Sequence, residues 1–161
     1  WRDADSDCKD TRAEVLMQET KVKVTFSSSS GYCRVVTGKW LSMFDNKTYT
    51  SASDVQIDHH IPVHEAWGSG ARGWTQSRRV AFNNDLTDKR ALNAVTSSLN
   101  SSKGARDPAE WMPPANRCNY IAKWVVVKAR WRLSVDATEK ATLQSYASSC
   151  TNITLRYHRQ N

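Results

Sequence analysis

Ile57-Asp58-His59-His60-Ile61-Pro62 is the stretch on which the reading of this chain turns, and it closes the segment that begins Asp54-Val55-Gln56. Residues 54–60 predict a short strand that delivers polar side chains. A carboxylate beside an imidazole, at a strand end and before a proline, can hold a cation and a base together. Hydrolysis of a phosphodiester needs both. A neutral histidine takes a proton from water near physiological pH, and a divalent ion stabilises charge on the phosphate and on the departing oxygen. Alternation on a strand sends successive side chains to opposite faces, so His59 and His60 cannot do the same job.

Outward from that stretch, residues 90–96 (RALNAVT) predict a second strand. The chain then reads as helical from Ser97 to Gly104, with Asn100-Ser101-Ser102-Lys103-Gly104 inside it. An Asn oxygen is a hard, neutral ligand suited to Mg²⁺. A strand with Asp-His, a second strand and a helix with Asn make the ββα-metal layout. Further elements surround it. Residues 10–19 predict a helix, and 21–26 a strand with Val22, Val24 and Phe26 on one face. Strands are also expected at 32–37, 39–44 and 48–51. Thr75 is a good cap for a helix through about Asn83. Asp107-Pro108-Ala109-Glu110 reads as another helix start, stopped by Met112-Pro113-Pro114. Residues 116–132 are the strongest helix, with Ile121, Trp124, Val125, Lys128 and Trp131 at three- and four-residue steps. Asp136 with Glu139 forms a capping box for a last helix through about Ala147, and 153–157 predict a terminal strand. The expectation is one α+β domain over residues 1–161, a ββα core elaborated with extra strands and helices.

Composition sets the compartment and the partner class. The 161 residues are 39% hydrophobic with seven Trp, enough for one sizeable core. No apolar run approaches the roughly 18–20 residues of a membrane span. No leader is read, and because the chain opens at Trp1 the expectation is a leader either removed or left outside this stretch of sequence. Net charge is +7, and residues 101–161 hold ten of the 23 Lys/Arg against four of the 16 Asp/Glu. A basic excess so placed suits a polyanion, since cations near phosphate release condensed counterions; a merely basic solvated surface is the alternative. Four cysteines with no CxxC pair argue against a zinc ribbon. Two disulfides are expected, and Cys8–Cys33 with Cys118–Cys150 is the favoured pairing because each closes a loop within one half of the chain. Disulfides imply an oxidising, secretory environment.

The ordered set of motifs carries a resemblance. It comprises Asp10-Thr11-Arg12-Ala13-Glu14-Val15-Leu16, then Ile57–Pro62, Glu65-Ala66-Trp67-Gly68-Ser69-Gly70-Ala71, Asn84-Asp85-Leu86, Asn100–Gly104 and Asp107-Pro108-Ala109-Glu110-Trp111-Met112-Pro113. In that order they resemble the small secreted HNH (His-Me finger) endonucleases of actinobacteria and fungi, and the C-terminal nuclease domain of GmrSD-type restriction enzymes. The resemblance implies a metal ligand at Asp58, a general base at His59 and a second ligand at Asn100. It implies Asn84 as the middle residue that fixes the base or its loop. Lys103 and Arg12 become candidate phosphate contacts; Lys128, with Lys123, Arg130 and Arg132 on the long helix, is a candidate from the basic excess there, a solvated face being the alternative. His60 stands where such proteins commonly carry an apolar residue. A one-residue shift, with His59 as ligand and His60 as base, therefore stays open, and Glu65 is a second supporting candidate. One divalent ion is implied, Mg²⁺ or else Mn²⁺.

The function so implied is an extracellular DNase of little sequence specificity. It would be monomeric, would act on double-stranded DNA with RNA as the alternative, and would leave 5′-phosphate ends. Rival expectations are a specific or toxin-type HNH module, a secreted nucleic-acid-binding protein without catalysis, and a structural domain with zinc at His59, His60 and His64. Trp67, Trp74, Trp111, Trp124 and Trp131 read first as core or loop anchors. Glycosylation sequons begin at Asn46, Asn100 and Asn152; a glycan at Asn100 would block the implied metal site, so that one is expected to be unmodified.

Overall fold

The computed structural model describes residues 1–151 and 154–160. Helix α1 (Thr11–Glu19) opens on Asp10, whose carboxylate accepts the Ala13 N–H and satisfies an orphan donor of the first turn. Strands β1 (Thr25–Phe26), β2 (Val35–Ser42) and β3 (Lys47–Ser51) pair antiparallel in that order. The two strands expected over 32–44 are thus one strand. Of the strand expected at 21–26, the structure keeps its last two residues, Thr25 and Phe26. Gly38 lies in β2 because of its neighbour: a Cβ there would stand 2.5 Å from the Trp40 ring, which is fully buried and donates its indole N–H to the Leu16 carbonyl. That contact seats α1 on the sheet.

Strand β4 (Val55–His59) follows, then the short helix α2 (Val63–Gly68) and helix α3 (Gln76–Asn83), capped by Thr75 as expected. Strand β5 (Leu92–Thr96) pairs antiparallel with β4 in the register Ile57↔Ala94, Asp58↔Asn93 and His59↔Leu92. Helix α4 (Ser97–Lys103) leaves β5 directly and packs back on both strands. The ββα unit is therefore present inside a larger α+β fold.

Asp107 starts no helix. Its carboxylate instead closes a turn by accepting the Ala109 and Glu110 N–H groups at 2.6 and 3.2 Å. Helix α5 (Arg117–Trp131) runs through the core and presents Tyr120, Trp124 and Trp131, all nearly fully buried. Helix α6 (Ala137–Ser149) begins with Asp136 accepting two backbone N–H groups. Glu139 does not complete the box, because its carboxylate is buried against Trp124 Nε1 and Lys128 Nζ. The expected strand at 153–157 lies partly outside the described residues, and 154–157 carry no strand.

Both expected disulfides are present. Cys8–Cys33 ties the N-terminal segment to the start of β2, and Cys118–Cys150 ties the start of α5 to the end of α6. The linked cysteines are 25 and 32 residues apart. Loops of that size restrict the unfolded chain by about 3–4 kcal/mol each in the chain-entropy account. Urea unfolding with and without dithiothreitol should show a loss of that order for each bridge, read one at a time in Cys→Ala pairs.

Candidate active site

The end of β4 is where charged and titratable groups gather. Gln56 and Asp58 face α4, and His60 continues that side into the core. Lys103, at the last turn of α4, is completely buried. Its ammonium donates to Asp58 Oδ1 at 2.6 Å and to the His59 and His60 carbonyls at 2.8 and 3.0 Å. All three of its donors are used, so Lys103 has no proton left for a substrate phosphate. Burial works against both partners, pushing the Asp58 carboxyl up and the Lys103 ammonium down, and their contact opposes both shifts. Asn100 lies one turn earlier on α4 and donates its amide N–H to Gln56 Oε1 at 2.9 Å. Asp58 and Asn100 thus share one face of the β4–α4 junction.

His59 projects from the other face. Its Nε2 lies 2.9 Å from the Asn83 carbonyl at the end of α3. A carbonyl can only accept, so Nε2 carries the proton and Nδ1 keeps its lone pair. The ring stacks on Trp1 at 5.0 Å and on Phe82 at 6.3 Å, with interplanar angles of 15° and 18°. Burial between these rings pushes the imidazole down to about 4, so it is neutral at physiological pH. His59 lines an open cleft with Trp1, Arg2, Val80, Asn83 and Asn84. Neither Asp58 nor Asn100 lines that cleft: the two faces of β4 hold the base and the oxygen ligands separately, straddling the strand end.

The other candidates fall into place around these two clusters. Asn84 accepts the Arg2 N–H and the Thr11 hydroxyl on Oδ1, which holds the N-terminal segment, and with it Trp1, over His59. It is the Asn83 carbonyl that touches the imidazole. A backbone acceptor has no residue signature, and Trp1 gave no warning of its position. His60 is fully buried, with Nε2 against the Tyr120 carbonyl and its ring on Tyr120 and Trp124. It is a core residue and does not reach the surface where a base must work. Arg12 donates to the Ala52 and Val55 carbonyls, pinning α1 to the approach to β4. Lys128 is buried among Glu65, Ser69, Ser134 and Glu139, and Arg130 among Asp85, Thr87 and the His158 carbonyl. With Lys103, these two take part of the C-terminal basic excess away from any phosphate surface. His59, His60 and His64 form no cluster. Among the described residues the one group of three or more potential ligands is Asp3, Asp5 and Asp7, all exposed.

Comparison with known proteins places the chain in a family. The family described as GmrSD restriction endonucleases, C-terminal domain, matches residues 10–156. The chain belongs to this GmrSD C-terminal domain family. A relative from the fungus Arthroderma benhamiae, described as an uncharacterized secreted protein, is 41% identical over 143 residues, covering 87% of this chain and 67% of its own length. No solved structure matches the chain. Membership of the GmrSD family brings nuclease activity in general, with nucleic acid as the substrate. Nucleases of this kind generally use a divalent ion, and the β4–α4 junction offers two oxygens without a hydrogen-bond donor among the described residues. Asp58 Oδ2 is buried without a hydrogen-bond partner, and Asn100 Oδ1 accepts none among the described residues. Both are hard donors of the kind Mg²⁺ prefers. No described helix is long and apolar enough to cross a membrane.

Proposed function

We propose that the protein is a metal-dependent endonuclease that hydrolyses DNA phosphodiester bonds with little regard to sequence, with His59 as the general base. The observation that carries the reading is the contact between His59 Nε2 and the Asn83 carbonyl at 2.9 Å. It fixes the tautomer, leaves the Nδ1 lone pair for a water proton, and sets the ring in an open cleft. Asp58 Oδ2 and Asn100 Oδ1 would hold one divalent ion, Mg²⁺ or Mn²⁺. When bound, the ion would neutralise charge on the scissile phosphate and the departing 3′ oxygen, leaving 5′-phosphate ends. A phosphate at the end of β4 would meet the imidazole on one face, and on the other Asn100 at the surface with Asp58 Oδ2 buried behind it. His59 takes the water proton, and Phe82 and Trp1 keep the ring from turning. Two disulfides and a secreted fungal relative support an extracellular site of action. Nothing in this reading needs more than one domain or one copy of the chain.

The test is nicking of supercoiled plasmid with Mg²⁺ or Mn²⁺, with and without EDTA. Nicked and then linear product is expected only with the ion present, and intact plasmid under every condition would overturn the reading. The Asn100→Ala variant is the clean probe of the ion site, because Asn100 makes one exposed hydrogen bond while Asp58 is tied into a buried pair. The variant should raise the Mg²⁺ concentration needed for half-maximal nicking by about 10–100-fold, with unfolding in urea unchanged.

A further inference from the structure

On the opposite side of β5 from the His59 cleft lies a second cleft of about 410 Å³. It is bounded by the end of α1, by β2, by the segment before β5 and by the start of α5, and the proposed chemistry uses none of its residues. Three cations enter it from three separate parts of the chain: Lys21, Lys89 and Lys123. The ammonium groups of Lys21 and Lys89 are exposed and make no hydrogen bond or ion pair among the described residues. Lys123 is largely buried and is held by Asn93 Oδ1 and the Met43 sulfur. Leu41, half exposed, supplies an apolar wall, and the Asn119 amide stands at the rim. Asn93 sits directly across the strand pair from Asp58, one position from the pair His59↔Leu92. Asn93 thus links the cleft to Asp58 through the β4–β5 pairing, while none of the cleft's lining residues belongs to the His59 cleft.

We infer that this cleft binds the phosphodiester backbone of the substrate strand on one side of the cleaved bond, with Lys21 and Lys89 as its phosphate contacts. The inference rests on the nuclease reading above. Two exposed lysines from separate parts of the chain, unpaired at their tips and set beside an apolar wall, suit a nucleotide better than a lone inorganic ion. Phosphate oxygens would meet the ammonium groups, and a sugar or base face would meet Leu41. The cleft also carries one acid, Glu19, whose Oε2 accepts the Ala94 N–H. Lys21, Lys89 and Lys123 are the charged groups around it, and burial outweighs them, pushing its carboxyl up to about 7. Below that pH Glu19 is neutral and does not oppose Lys21 and Lys89. Above it, a carboxylate repels the incoming phosphate. The charge of a phosphodiester is constant over this range, so any pH effect belongs to the protein.

The experiment is fluorescence anisotropy with a labelled oligothymidylate, in EDTA and about 0.1 M salt, on the full chain. The double variant Lys21→Gln/Lys89→Gln should bind about tenfold more weakly, with the salt slope reduced by about one to two. A control that removes the same charge elsewhere, Lys9→Gln/Lys140→Gln, should bind as wild type does. Wild type should bind more tightly near pH 6 than near pH 8, and Glu19→Gln should lose that difference. Equal weakening in the control pair, or an unchanged slope in the Lys21/Lys89 pair, would overturn the inference while leaving plasmid nicking, and hence the nuclease reading, intact. A wild-type protein that neither binds the oligonucleotide nor nicks plasmid would overturn both.

Discussion

His59→Ala should lower plasmid nicking by about 10²–10⁴-fold, the range over which a positioned general base contributes, and leave the protein folded. The imidazole makes one side-chain hydrogen bond, to the Asn83 carbonyl, at the edge of an open cleft. Losing that bond and the stacking on Trp1 and Phe82 is worth about 2–4 kcal/mol, which a domain with this core and two disulfides can absorb. His60→Ala should do the reverse. That ring is fully buried between Tyr120 and Trp124, and truncating it opens a cavity in the core. A loss of about 3–5 kcal/mol is expected there by analogy with aromatic truncations, with activity falling only as the folded fraction falls. Nicking and urea unfolding measured on both variants separate the two roles. Full activity in folded His59→Ala would remove the base from the proposal, whatever became of His60.

Both expectations began from one fact of sequence, that adjacent strand residues face opposite ways. Which of the two histidines faces the core was not legible at positions 59 and 60 themselves. It was decided by Tyr120 and Trp124, some sixty residues on, which fill the side to which His60 points. Local features with a short-range cause were read well: the Thr75 cap, the strand–strand–helix order through Asn100, the long amphipathic helix, and disulfides that each close one local loop. Asp107 shows the limit of that approach. An Asp-Pro pair satisfies the start of a helix and a tight turn alike, and the prolines at 113 and 114 left too little chain for the helix.

The larger misreading concerned charge. Lys103 and Lys128 resemble phosphate ligands in a sequence because lysines are rarely buried. Only tertiary contact shows that Asp58, Glu65 and Glu139 stand waiting for them. Lys21 and Lys89, which lie outside the basic C-terminal third, are exposed and are the cations proposed to meet a substrate.

Lys103→Met is the sharpest test of that correction. If Lys103 were a surface contact, the change would cost little stability, within about 0.5 kcal/mol, and would lower the salt slope of DNA binding by about one. The structure requires a different result. Removing the ammonium strands the Asp58 carboxylate, 3% exposed, and frees two buried carbonyls. Breaking a buried pair from one side costs about 3–5 kcal/mol, and the midpoint of urea unfolding should fall accordingly. Asp58→Asn should be milder, since a neutral amide can still accept from Lys103 at Oδ1. The double variant Lys103→Met/Asp58→Leu should recover a good part of the single-variant loss, because two apolar groups of similar volume leave no charge without a partner. It should also be inactive, having lost the carboxylate proposed to bind the ion. Recovery of stability without recovery of nicking would assign Lys103 to holding Asp58 in place and Asp58 to the chemistry. Two singles whose losses simply add would mean that the pair does not act as a unit.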